Sequence, residues 1–225
     1  MAKTKWARVV GHEHLGADIH RIHCIADDDF HHVAGNYVIL RSTLTNPEKP
    51  EDVLKRAYSI SSAPNASSPR DFHFTVINTG ATSEWLSERR EGDRLEFSGP
   101  WGKKFRAQPD DPDTVVHLFA TGTGFSPIGA MAVSRTQNGQ SPVHLWWQTS
   151  HKYDEEVLET LQSNNRFKVS VGNNLVDLVP ADPKALYFFA GDGETIVPLC
   201  NRLISEGVPP QQLRTEYFFN KPPKS

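Results

Sequence analysis

The chain is predicted to be of β + α/β class: an antiparallel β-barrel or sandwich, then a parallel sheet flanked by helices. Three observations predict this. The first half carries short β-branched and aromatic runs punctuated by turn residues. The second half alternates apolar strand-sized runs with helical stretches. Between them lies a polar, proline-broken segment, Gln108-Pro109-Asp110-Asp111-Pro112-Asp113. The domains are therefore drawn at 1–108 and 113–225.

In the first half, strands are predicted over 6–10, 19–25, 37–42, 56–61, 73–77 and 94–98. Their shortness and irregular spacing suit an antiparallel barrel or sandwich. One helix is expected near 82–90. Segment 44–54, with Pro47, Pro50 and several charges, reads as a loop, as does 65–70, with Ser67, Ser68 and Pro69. In the second half, a buried strand over 115–120 leads through a glycine turn to a helix over 127–137. Strand 143–148, helix 154–163, strand 167–171, strand 185–190, helix 195–206 and strand 214–219 follow. Strand–helix alternation means a parallel sheet with helices on both faces. The chain shows no internal repeat and no low-complexity tract.

Composition excludes several classes. With 12 Phe, 5 Trp and 5 Tyr the chain has ample ring surface for a core and for a stacking site. A net charge of −3 without a basic stripe argues against nucleic acid. The longest apolar runs are strand-sized, far below the ~20 residues of a membrane span, and the first residues have no apolar signal core. Two isolated cysteines, Cys24 and Cys200, exclude a disulfide framework and a four-cysteine iron–sulfur cluster, so a cytoplasmic location is expected. His12, His14, His20, His23, His31 and His32 contain no spaced ligand pair, and no metal site is expected.

The most informative stretch is Arg56-Ala57-Tyr58-Ser59-Ile60-Ser61-Ser62. As a strand it places Arg56, Tyr58, Ile60 and Ser62 on one face and Ala57, Ser59 and Ser61 on the other. Arginine offers a fork to a phosphate. Tyrosine offers a ring face, and the serines offer hydrogen bonds to a ring edge. Together they suit a flat, phosphate-bearing cofactor. Gly80-Ala81-Thr82-Ser83 opens a predicted helix, whose first backbone N–H groups favour anions. Thr121-Gly122-Thr123-Gly124-Phe125-Ser126-Pro127 follows a buried strand and precedes a helix, but lacks the third glycine of the Rossmann fingerprint. Ala190-Gly191-Asp192-Gly193 lies at the carboxyl end of a strand, where open α/β sheets bind ligands.

In this order, with Gly35-Asn36-Tyr37 and Gly99-Pro100-Trp101-Gly102-Lys103-Lys104-Phe105, these motifs resemble the ferredoxin–NADP reductase superfamily of flavoenzymes. The resemblance runs from about residue 33 to 219. It implies a flavin-binding antiparallel barrel followed by a parallel-sheet nucleotide-binding domain. It further implies that Tyr58 stacks on the flavin ring and that Ser59, the one catalytic assignment, approaches flavin N5. Arg56, Ala57 and the Gly80, Ala81, Thr82, Ser83 turn would hold the rest of the flavin and its phosphates. Thr121, Gly122, Thr123, Gly124 and Pro127, with Gly191 and Asp192, would bind NAD(P)H. Phe218 or Phe219 would cover the other flavin face, or form a buried edge-strand pair.

Three departures stand out. Asn36 replaces the family's usual Gln, an extra lysine lengthens the turn after Gly102, and Ala190 replaces the Cys that helps seat the nicotinamide. Ala190-Gly191-Asp192 is similar to the siderophore-interacting branch, while Gln148-Thr149 is similar to the NADH-using cytochrome b5 reductase branch. With only Lys152 and His151 near the expected 2′-phosphate position, NADH is the expected nucleotide. The resemblance implies a flavin-dependent NAD(P)H oxidoreductase using FAD, with ferredoxin or flavodoxin as acceptor. Alternatives are an electron-transfer subunit of an oxygenase or hydrogenase complex, or a siderophore or ferric reductase.

Overall fold

A computed structural model divides the chain into two contiguous units, Met1–Lys103 and Lys104–Ser225. It describes residues 4–16, 18–102, 105, 114–138, 143–150 and 153–220. The joint drawn at 108–113 lies outside the described residues.

The first unit contains β1 (Lys5–Gly16), β2 (Ile19–Ala26), β3 (Tyr37–Asn46), β4 (Lys49–Ser59), β5 (Asp71–Ile77), α1 (Ala81–Ser87) and β6 (Arg94–Trp101). The strands form one antiparallel sheet in the order β4-β3-β6-β1-β2-β5. Past the end of β4, Ile60 bridges Phe74 of β5 and the Ser61 N–H donates to the His73 carbonyl at 2.9 Å. The two end strands of the order therefore meet at one point. Alternate residues such as Val9, Ile22, Leu40, Phe74 and Phe97 are buried on the inner face. Phe30, Phe72 and Phe97 interlock there, with ring centroids 4.8 to 5.5 Å apart.

Segment 44–54 is not a loop. It is the end of β3, a tight turn at Pro47-Glu48 and most of β4. Asn46 Oδ1 accepts the Glu48 N–H at 3.0 Å and closes the turn. The prolines and charges that looked loop-like are tolerated because β4 ends the sheet order, where a missing N–H breaks no interior ladder. Pairing is also irregular between Thr45 and Asn46, beside Pro50.

The second unit contains β7 (Val116–Thr121), α2 (Phe125–Gln137), β8 (Val143–Gln148), α3 (Glu155–Gln162), β9 (Phe167–Gly172), β10 (Leu186–Asp192), α4 (Gly193–Ser205) and β11 (Leu213–Phe219). Its five strands are parallel, in the order β11-β10-β7-β8-β9. Phe119, Tyr187 and Phe189 form one core with Ile196, Leu199 and Leu203 of α4. The alternate residues face the other way, where Phe125 of α2 stacks on Trp147 at 4.1 Å. Helices thus cover both faces. Among the described residues, no helix is long and apolar enough to cross a membrane.

Candidate functional site

In the first unit, β4 carries Arg56, Ala57, Tyr58 and Ser59 beside β3 in the register Leu40–Arg56, Ile39–Ala57, Val38–Tyr58 and Tyr37–Ser59. Arg56 and Ala57 are exposed, Tyr58 is half-buried and Ser59 is buried. The Tyr58 ring backs onto the core, 6.2 Å from Phe74. Burial pushes its hydroxyl up to about 12, so the phenol stays neutral and the side chain acts as a ring, not an acid. Arg56 Nη1 donates to the Lys55 carbonyl at 2.9 Å. No carboxylate pairs with it among the described residues, so its charge is available to an anion.

The Gly80 turn is braced from within. Ser83 Oγ accepts the Thr79 and Gly80 N–H groups, each at 3.1 Å, and donates to the Gly80 carbonyl at 2.8 Å. The Ser83 hydroxyl is thus engaged in the turn itself. A Cβ at Gly80 would meet nothing within 4 Å, so this helix start is open to an approaching group. Sequence reasoning passed over Asn36, except as a mismatch. It is buried, its Oδ1 accepts the Val33 N–H at 3.0 Å, its carbonyl accepts the Ile60 N–H, and its Nδ2 is a buried donor without a partner. An unsatisfied donor next to the Tyr37–Ser59 pair is what a polar ligand edge would complete.

In the second unit, chain order reverses between β7 and β10, the neighbouring strands from which the sheet grows in opposite directions. Open α/β sheets take ligands at the carboxyl ends of strands at such a switch point. Thr121 ends β7, Gly122–Gly124 form a single 3₁₀ turn, and Gly191 and Asp192 end β10. The structure therefore brings together residues 71 positions apart: the Asp192 N–H donates to Thr121 Oγ1 at 2.7 Å. Asp192 also caps α4, Oδ1 accepting the Glu194 N–H at 3.1 Å.

The glycines here divide into two kinds. A Cβ on Gly124 would collide with the Ala190 carbonyl, and one on Gly191 with Thr121 Oγ1. Both serve close approach of the chain to itself. Gly122 has φ +48° and nothing within 4 Å of a Cβ, so it borders open space. Its carbonyl is tied down by Trp147 Nε1 at 2.9 Å and Tyr153 Oη at 3.4 Å. Neither aromatic was singled out from the sequence, since a Trp in a buried strand looks like core. Pro127 is buried in the first turn of α2, where its missing N–H costs no helical bond.

Two other expectations meet the structure here. Phe218 is half-buried and Phe219 is exposed at 41%, on the edge strand β11, so the pair is not buried together. Gln148 Oε1 accepts the Leu175 N–H at 3.0 Å and is occupied in bracing a loop. His151, Lys152, Lys103 and Lys104 lie outside the described residues. The N-terminal histidines pair locally, His12 with His20 at 3.0 Å and His23 with Glu13 at 2.8 Å. Among the described residues, no cluster suits a metal ion.

Residues 7–105 match the family model of the oxidoreductase FAD-binding domain. That match and the relatives below support a likeness to the ferredoxin–NADP reductase superfamily. The chain is 35% identical over 109 residues to ferredoxin–NADP reductase B of Sorangium cellulosum, covering 48% of this chain and 43% of the relative. It is 26% identical over 160 residues to the phenol hydroxylase P5 protein of Acinetobacter pittii, covering 69% of this chain and 43% of the relative. The chain thus spans less than half the length of either. The FAD/NAD-binding domain of a nitric oxide dioxygenase from Vibrio cholerae superposes with a TM-score of 0.79 at 18% identity, covering 96% of this chain and 98% of that one. At that identity the likeness is one of fold. The FAD-binding segment includes the Asn36, Arg56–Ser59 and Gly80–Ser83 groups and excludes the β7–β10 switch point.

Proposed function

We propose that the protein is a flavin-dependent NAD(P)H oxidoreductase that passes hydride from NAD(P)H to FAD and electrons onward to an acceptor. The observation that carries this reading is the β4 arrangement inside a segment matching an oxidoreductase FAD-binding domain: an acid-free arginine, a core-backed tyrosine ring and a buried serine in consecutive register. The residues fit the group. Arg56 and the open start of α1 suit phosphates, Tyr58 suits a ring face, and Ser59 with the unsatisfied Asn36 Nδ2 suits polar ring atoms. FAD would supply the hydride-accepting and electron-passing chemistry. Ser59 would orient the reacting edge of the ring. Arg56 would neutralise phosphate charge, and the neutral Tyr58 phenol would exclude water from one ring face.

The Thr121–Pro127 turn, Gly191 and Asp192 would hold NAD(P)H at the switch point, with Gly122 as the open contact. Phe218 or Phe219 would serve as an aromatic cover. NADH is the proposed preference, since Gln148 is occupied and the nearby cations Arg166 and Lys168 sit exposed. The first unit would form the flavin-binding barrel, and the domains would divide near 108–113. Ferredoxin or flavodoxin is the proposed acceptor. A role as the reductase subunit of an oxygenase system is favoured by one observation, the 69% coverage of this chain by the phenol hydroxylase P5 match. Two lone, buried thiols support a reducing, cytoplasmic setting; burial raises both above the ordinary range.

The test is direct. The purified protein should carry flavin absorbance, release FAD on heating, and bleach faster with NADH than with NADPH under anaerobic conditions. A colourless protein that takes up neither FAD nor FMN would overturn the proposal.

A further inference from the structure

We infer that the first unit carries a second ligand site, a cationic cleft apart from the β4 and α1 residues, that takes a small phosphate- or diphosphate-bearing molecule. The cleft has a volume of about 440 Å³. That falls within the ~300–1,000 Å³ typical of small-molecule sites. Three arginines, Arg8, Arg70 and Arg94, line it with one acid, Asp27, over a floor that includes Ile25 and Ala26. Three guanidinium groups against one carboxylate leave an excess of two positive charges, in a chain whose net charge is −3.

The charged side chains are exposed, but the sheet and their partners fix where two of the three guanidiniums stand. Arg8 of β1 and Arg94 of β6 lie directly opposite each other in the antiparallel ladder. Like charges in that position destabilise a sheet. The carboxylate that could relieve both is committed: Asp27 Oδ2 pairs with Arg94. Arg94 is further held by its place over the Trp6 ring, 5.1 Å from the centroid. Arg70 Nη1 binds the backbone carbonyl of Asp27 at 3.2 Å, not its carboxylate. Arg8 has no hydrogen-bonding or acidic partner among the described residues. Two guanidiniums are therefore pre-positioned, Arg8 is unpaired among the described residues, and the single Asp27 carboxylate offsets only part of their mutual repulsion.

A group with two negative charges and several acceptor oxygens answers all three features. Guanidinium forks match phosphate oxygens two at a time. The concave shape and the apolar floor favour a small organic phosphate over the flat surface of a macromolecule.

The test uses the FAD-loaded protein and inorganic pyrophosphate as probe. Titration calorimetry at constant ionic strength should show binding, weakened about ten- to a hundredfold by Arg8→Ala. Arg8→Gln, which keeps most of the side chain's length, should weaken it similarly. In pyrophosphate-free buffer Arg8→Ala should melt no lower than the parent, because the opposed pair is relieved, and pyrophosphate should raise the melting point of the parent more than that of the variant. Flavin content and NADH oxidation should be the same in both, so failure here is separable from failure of the flavin assignment. Absence of pyrophosphate binding at millimolar concentration, or equal affinity in Arg8→Ala and the parent, overturns the inference.

Discussion

Single glycine substitutions at the β7–β10 switch point should separate what the chain needs from what a nucleotide needs. Take Gly191→Ala first. The residue holds φ +128°, and a Cβ would strike Thr121 Oγ1 and crowd the Thr121 backbone. The backbone strain is worth about 1–3 kcal/mol, and overpacking against a rigid strand end about 1–3 kcal/mol more. The Asp192 N–H to Thr121 Oγ1 bond, 2.7 Å long, would be displaced at a further ~1 kcal/mol. The total, roughly 3–7 kcal/mol, rivals the whole stability of an ordinary domain, about 5–15 kcal/mol. The melting temperature should drop by about 10 °C or more. Gly122→Ala is different. Its φ of +48° costs a non-glycine residue about 1–2 kcal/mol, but no atom lies within 4 Å of the added carbon. That variant should fold and keep its flavin, while KM for NADH rises about tenfold, roughly 1.4 kcal/mol of lost binding. Circular dichroism melts and steady-state ferricyanide reduction read the two quantities. If Gly191→Ala melts with the parent, the packing argument is wrong. If Gly122→Ala leaves KM unchanged, Gly122 does not face the nucleotide.

Other outcomes follow from the same geometry. Arg56→Ala should weaken FAD retention by about ten- to a hundredfold with little effect on the melting temperature of the flavin-free protein, since among the described residues its hydrogen-bond partner is a neighbouring carbonyl; equilibrium dialysis checks this. Ser59→Ala should keep FAD and slow its reduction by NADH by about 10²–10³-fold in stopped flow, and an unchanged rate would remove Ser59 from the mechanism. Acid should unfold the protein early. Burial lowers His32, His73 and His117, His73 to about 3 and His117 to about 4, from an ordinary 6.5. These side chains stay neutral when folded while the unfolded chain takes up protons below about 6.5, so stability falls as pH drops from there towards 3. Urea midpoints measured from pH 8 to pH 4 should be level down to about 6.5 and decline below it; a level profile throughout would contradict the burial of these rings.

Much of the second unit's architecture is legible because each strand is an unbroken apolar run bounded by turn residues. The predicted strand over 143–148 coincides with β8, and those over 115–120 and 185–190 fall within two residues of β7 and β10. The first unit hides more. Lys49-Pro50-Glu51-Asp52 carries the marks of a loop, yet it belongs to a strand at the end of the sheet order. Whether a strand is interior or terminal depends on partners distant in sequence, and only that position decides whether proline and charge are tolerated.

The site shows the same limit at finer scale. Glycine-rich turns mark the place well, because close approach and positive φ both demand glycine, and such turns cluster at strand ends where ligands go. They do not reveal what each glycine approaches. Gly124 and Gly122 stand two residues apart in one motif, yet one packs on the Ala190 carbonyl and the other borders open space. The difference is imposed by β10, which reaches the turn only once the parallel sheet has formed. Trp147 and Tyr153 escaped notice for the opposite reason: their periodicity and apolar bulk describe core residues, while the polar tips that hold the Gly122 carbonyl leave no trace in a hydrophobic pattern. Asn36 escaped because a polar residue at a strand start is ordinary, and only its burial with an unpartnered amide makes it notable. Local sequence thus locates a binding turn, whereas the division of its residues between chain and ligand is a property of the assembled sheet.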